Sequence, residues 1–182
     1  MMTIRQFART AGTAGVWVGL AALRYVGLVV VQAMGATGAA LRPVDRQRAF
    51  VTGESLGQIH IERLGLTAVI GEGERASVLR RGVGHLADTA WIRQGGNVVL
   101  AGHRDTVFRP LRKILPGDVI EIITAEGSVR YSVEKIEVVS ASDLSVLEPS
   151  GHSTLTLITC YPFSFFGSAP DRFIVRAREI IG

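Results

Sequence analysis

At 182 residues and 47% hydrophobic content, the chain is long enough for one domain with a real core plus an appendage. A single cysteine excludes an intramolecular disulfide framework and any cysteine-rich zinc site. The formal charge of +4 is unevenly placed: residues 1–48 hold six Arg and one acid, whereas residues 49–182 hold 14 Lys and Arg against 15 Asp and Glu, so the folded part has no net basic excess with which to grip nucleic acid.

Residues 1–12 form a short polar tail with Arg5 and Arg9, and residues 13–41 are almost wholly apolar and small, interrupted by Arg24. The length matches the roughly 20 apolar residues of a bilayer span, and a transmembrane anchor is the leading expectation. A signal peptide cut at an Ala-rich site and an amphipathic helix lying on the membrane are the other readings. Arginines flank the segment on both sides, so the positive-inside rule leaves orientation open. Residues 42–57, with Pro43, Gly53 and Gly57, read as a linker, and residues 58–182 as the folded domain.

Within that domain, Gln58–Glu62 and Thr67–Ile70 alternate as strands of a hairpin turning at Gly65. Ala76–Arg81 fits one or two helical turns, and Gly82–Leu86 is ambiguous. Asn97–Gly102 is a continuous apolar run after a Gly-Gly turn, predicting a buried strand that delivers His103 at its end. Asp105–Leu111 predicts a loop with a short helical turn, in which Asp105 suits a cap. Strands are expected over Asp118–Thr124 and Ser128–Ser140, a loop or short helix over Ser142–Ser150, and a last strand over Arg172–Ala177.

The stretch Thr154–Cys160 alternates Thr with aliphatic residues, predicting a strand with one buried face. Pro162 cannot continue a central ladder, so this strand should end near Cys160 and present its thiol at an open end. A lone cysteine is also at home as a small buried hydrophobe. As a nucleophile it needs a base, because the thiolate is the reactive form. Of the four histidines, His103 is the best placed, at the end of a strand; His60 lies inside one, His85 follows a Gly-rich stretch and His152 sits among turn residues. Acyl transfer also needs donors for an oxyanion. Arg172 opens the next strand after a Phe-, Ser- and Gly-rich loop, and its guanidinium offers five donors in a fixed fork. A surface ion pair with Asp171 or Glu179 is the alternative role for it.

Thr156-Leu157-Ile158-Thr159-Cys160 resembles the T-L-x-T-C motif of the sortases, the cysteine transpeptidases of bacterial surfaces. Gly102-His103-Arg104-Asp105 resembles their histidine segment, and Arg172, twelve residues after the cysteine, matches their arginine. The likeness runs over residues 55–182 and is greatest to class D. It implies an all-β fold, a closed eight-stranded sortase-type barrel with short helices, in which His103, Cys160 and Arg172 meet in one groove. It further implies a Leu-Pro-x-Thr-type sorting signal as substrate, cleaved after Thr through a thioacyl-enzyme. The acyl group would pass to an amine of a peptidoglycan peptide or a protein lysine. Thr159, Tyr161 and Phe163 become expected substrate contacts. The 142–149 and 163–170 segments become the groove walls. The cell membrane becomes the expected location, with the catalytic domain extracytoplasmic.

Two rivals to a transpeptidase remain at this level: a cysteine hydrolase, and a non-catalytic, membrane-tethered barrel that binds peptides. No cofactor is expected, since the glycines at 71, 73, 82 and 84 do not match a nucleotide-binding loop. No metal site is assigned, because Glu72, Glu74, Asp105 and Asp118 are scattered along the chain.

Overall fold

The computed structural model describes residues 52–164 and 167–181; the expected tail (1–12) and apolar anchor (13–41), and the linker up to residue 51, lie outside the described residues. The described residues form eight strands: β1 (Ser55–Ile61), β2 (Leu66–Glu72), β3 (Val83–His85), β4 (Asn97–Ala101), β5 (Val119–Thr124), β6 (Gly127–Ser140), β7 (Thr154–Tyr161) and β8 (Asp171–Glu179). They close into a barrel in the order β1-β2-β3-β4-β7-β8-β6-β5, with β1 pairing back onto β5. Two pairings are parallel, β2 with β3 and β4 with β7, and the rest are antiparallel. One short helix, α1 (Ala76–Leu79), bridges β2 to β3, because parallel neighbours need a crossover connection. No helix among the described residues is long and apolar enough to cross a membrane.

The interior is filled by alternate side chains of each strand, as the two-residue period of a pleated strand requires. Ile59 and Ile61, Ile120 and Ile122, Val98 and Leu100, Leu155 and Leu157, and Val175 and Ala177 point inward and are buried together with Phe108 and Leu111. β1 begins at Ser55, three residues ahead of the expected Gln58, and contains a bulge between Ser55 and Gly57. Glycine is needed there: a Cβ on residue 57 would lie 2.2 Å from the Ile123 carbonyl oxygen, at a φ of +147°.

Both ambiguous stretches resolve into defined elements. Gly82–Leu86 contains β3, which slots between β2 and β4. Ser142–Ser150 is a loop with one 3-10 turn at Ser145–Leu147. Its course is dictated by topology. β6 ends at Ser140, beside Asp171 and so at the Cys160 end of the sheet, whereas β7 begins at Thr154, at the opposite end. Residues 141–153 therefore run back along the barrel from one end to the other.

Candidate active site

Cys160 and Arg172 are register partners in the β7–β8 ladder. Directly opposed residues project on the same face, with Cβ atoms about 4.5–5.5 Å apart in an antiparallel pair. That face is the outside of the barrel. Leu155, Leu157 and Thr159 alternate inward, leaving Thr154, Thr156, Ile158 and Cys160 outward; on β8, Val175 and Ala177 go inward, leaving Arg172, Ile174 and Arg176 outward.

His103 reaches the same region from the other side of β7. The parallel β4–β7 register ends with Ala101 opposite Ile158, and the Gly102 N–H continues it by donating to the Ile158 carbonyl at 3.2 Å. His103 follows that bond directly, just past the end of β4, the strand that flanks β7 on the side opposite β8; Cys160 and Arg172 are direct partners on β7 and β8. Cys160 is half-buried and unpaired by any disulfide, Arg172 is half-buried and His103 is exposed.

Several contacts hold this region. Thr159, 3% exposed, donates its hydroxyl to the Gly102 carbonyl at 2.7 Å, tying the residue before the cysteine to the residue before the histidine. Its hydroxyl faces inward and is engaged there, rather than pointing out to meet a substrate. Gly102 itself lies against Phe108: a Cβ would fall 2.7 Å from that ring. Phe108, fully buried, also donates its N–H to the His103 carbonyl. The 3-10 turn Arg109–Lys113 that follows is capped by Phe108 without a side-chain bond, so Asp105 is not its cap. Arg104 donates to the Gly167 carbonyl at 3.1 Å, joining the histidine segment to the β7–β8 connection. Arg172 donates to the carbonyls of Ala169 (3.2 Å) and Asp171 (2.9 Å), with its guanidinium turned toward the same connection.

The outer face is not bare along its length. Thr156, Val99 and Ile174 point outward yet are 0% exposed, and Thr154 is buried as well. The sequence pattern predicts one buried face for β7; over Thr154–Leu157 it has two, and on the outer side Thr156 bonds Asn97, which in turn meets the Val146 and Glu148 carbonyls of the β6–β7 connection. The cover stops short of the strand ends, where Ile158 and Cys160 are half-exposed.

Tyr161, Phe163 and Phe173 form an aromatic cluster at this end, with ring centroids 5.1–6.2 Å apart, and Phe163 and Phe173 pack against the core. Of the other histidines, His60 bonds Thr67 on the barrel surface and His152 is exposed. His85 is fully buried, with Nδ1 2.8 Å from Glu72 Oε2, Nε2 3.0 Å from the Ala90 carbonyl, and its ring 4.8 Å from Trp91. That pair was not foreseen: thirteen residues separate its members, and only the β2–β3 pairing, Glu72 opposite His85, unites them. Among the described residues no group of three or more His, Cys, Asp or Glu side chains gathers as metal ligands would.

Comparison with known proteins bears on the same region. The sortase domain family model matches residues 59–180. Sortase D of Bacillus subtilis is 35% identical, over 71% of this chain and 66% of its own length. Sortase SrtE1 of Streptomyces coelicolor is 36% identical, over 63% of this chain and 38% of its own. The chain thus spans less than two thirds of either relative. Among solved structures, the sortase D5 transpeptidase of Clostridium perfringens superposes with a TM-score of 0.66 at 32% identity, covering 79% of this chain and 88% of that one. Sortase C1 of group B Streptococcus (GBS) pilus island 1 gives a TM-score of 0.67 at 29% identity, covering 76% and 70%.

Proposed function

The chain belongs to the sortase family, and on that footing we propose that it is a membrane-anchored cysteine transpeptidase acting on proteins with a Leu-Pro-x-Thr-type sorting signal. The observation that carries this reading is the direct register of Cys160 with Arg172, on a strand whose other neighbour, β4, runs out into the His103 segment.

Cys160 Sγ, as thiolate, attacks the carbonyl carbon after the signal's Thr. The tetrahedral oxyanion is stabilised by the Arg172 guanidinium, whose charge does not depend on pH in the working range. The C–N bond breaks as His103 gives a proton to the departing amine, leaving a thioester on Cys160. His103 then takes a proton from the incoming amine, which displaces the thiolate and forms the new amide. Thr159 serves this chemistry through the Gly102 carbonyl and through its own backbone amide. Tyr161, Phe163 and residues 142–149 bound the groove for the signal's side chains. The apolar segment 13–41 holds the domain at the outer surface of the cell membrane.

The test is product analysis. Full-length protein in detergent micelles is incubated with a library of labelled Leu-Pro-x-Thr-x peptides, with and without an added amine. A transpeptidase gives the amide product when amine is present. A hydrolase gives free acid in both cases. A non-catalytic peptide-binding barrel gives neither, and alkylating Cys160 then changes nothing. Equal turnover by Cys160→Ala would overturn the reading.

A further inference from the structure

Asn97 opens β4 with its side chain on the outer face, 2% exposed and outside the core cluster. A buried primary amide is costly unless its donors and acceptor are matched. Here all are. Nδ2 donates to the carbonyls of Val146 and Glu148, both at 3.0 Å. Oδ1 accepts from the Thr156 hydroxyl at 2.7 Å, and Thr156 is itself 0% exposed. One side chain thereby joins three segments: the start of β4, the middle of β7, and the β6–β7 connection.

The placement of this junction is informative. Asn97 lies on the strand that leads to His103, and Thr156 is four residues before Cys160 on the same face of β7. The third partner is the segment proposed above to bound the groove. Val146, 4% exposed, is the one buried side chain of residues 141–153; the ends of the connection are tied by Ala141 N–H to the Pro170 carbonyl and by Glu179 N–H to the Ser153 carbonyl, and its middle is held by Val146 and the paired amide bonds. Ahead of that anchor, Asp143 accepts from the Ser145 N–H at 2.9 Å and shapes the turn that follows. The stretch from Ser140 to the anchor starts at the end of the sheet where Cys160 lies, and there Ala141 donates its N–H to the Pro170 carbonyl at 3.1 Å.

We propose that Asn97 and Thr156 are positioning residues: the Thr156 hydroxyl orients the Asn97 amide, and the amide clamps the β6–β7 connection at the height over β4 and β7 that admits the sorting signal. The proposal rests on the transpeptidase reading and adds to it how the segment bounding the groove is held. An aspartate at 97 would keep the acceptor for Thr156 but turn an anionic oxygen onto two carbonyls, releasing the clamp. Valine at 156 would remove the donor while keeping the side-chain shape; serine would restore it.

The experiment compares full-length wild type with Asn97→Asp, Thr156→Val and Thr156→Ser by two readouts. In amide hydrogen exchange, Asn97→Asp and Thr156→Val should exchange residues 141–150 at least about tenfold faster while β7 and β8 stay protected, as for local release of one segment. In peptide turnover, the same variants should raise KM about tenfold with kcat within about threefold, the pattern of lost uniform binding. Thr156→Ser should match wild type in both. Unchanged exchange in 141–150, a fall in kcat at constant KM, or failure of Thr156→Ser to restore wild-type behaviour would each overturn the clamp. If Asn97→Asp does not fold, the Thr156 pair carries the test. Absence of peptide turnover by wild type would sink the transpeptidase reading alone, and exchange would still decide whether the clamp exists.

Discussion

Cys160 on β7 and Arg172 on β8 stand directly opposite one another, on the outside of the barrel. A loop does not bring them together; the antiparallel register does. That register is fixed by the inward set Leu155, Leu157, Val175 and Ala177, because a one-residue slip of either strand would turn its own pair outward. The geometry of the candidate site is therefore a by-product of core packing, and rigid for that reason.

The first prediction concerns Arg172. Arg172→Ala should lower kcat/KM by about 10²–10³, the range for losing an oxyanion donor. Arg172→Lys should recover little of it, since an ammonium lacks the planar fork. Steady-state kinetics on both variants is the check; full activity in Arg172→Ala would leave the guanidinium with only its bonds to the Ala169 and Asp171 carbonyls.

A second prediction follows from Thr159. Thr159→Val strips the Gly102 carbonyl of its buried donor and should destabilise the fold by about 1–3 kcal/mol. It should also reduce kcat by about tenfold or more, because small misplacements of a proton-transfer group are expensive. Thr159→Ser retains the hydroxyl and should keep most of both. Urea titration paired with kinetics decides it; a stable, fully active Thr159→Val would show that the 2.7 Å bond does not hold the histidine segment.

The third is a pH effect on stability. Tyr131 is 1% exposed, and burial, with the nearby Glu179 carboxylate, pushes its hydroxyl from 10.0 up to about 12. The folded value lies above the unfolded one, so this group's contribution is fully present below about pH 10 and is lost as pH rises through about 12. By linkage the loss is on the order of 2–3 kcal/mol. Tyr131→Phe should remove that part of the slope. Denaturant unfolding of both proteins between pH 9 and pH 12 is the measurement, and parallel curves would contradict it.

What could be read from the chain in advance is uneven, and the reasons are physical. Short alternating runs with glycine turns announce a closed β fold because the two-residue period is local. The order of strands around the barrel is not local. His103 could be singled out since an apolar run ends just before it, but that its strand runs next to the cysteine's depends on a parallel pairing of strands 57 residues apart. The alternation makes Thr154 and Thr156 the polar side of a half-buried strand, yet both are buried, and Thr156 reaches a distant segment through Asn97. Asn97 passed as the first residue of a hydrophobic run; nothing nearby in sequence reveals that its amide meets Val146, Glu148 and Thr156. Thr159 was read as a substrate contact from its motif, and its hydroxyl turns inward because it shares parity with Leu155 and Leu157.

The most direct test is to catch the covalent intermediate. Wild-type protein is mixed with a Leu-Pro-x-Thr-x peptide without an acceptor amine, quenched in acid, digested and analysed by mass spectrometry. A thioester adduct on the peptide containing Cys160, absent from Cys160→Ala and discharged by adding an amine, is the predicted result. Peptide cleavage that proceeds with no adduct at Cys160, or with the acyl group on another residue, would contradict the account.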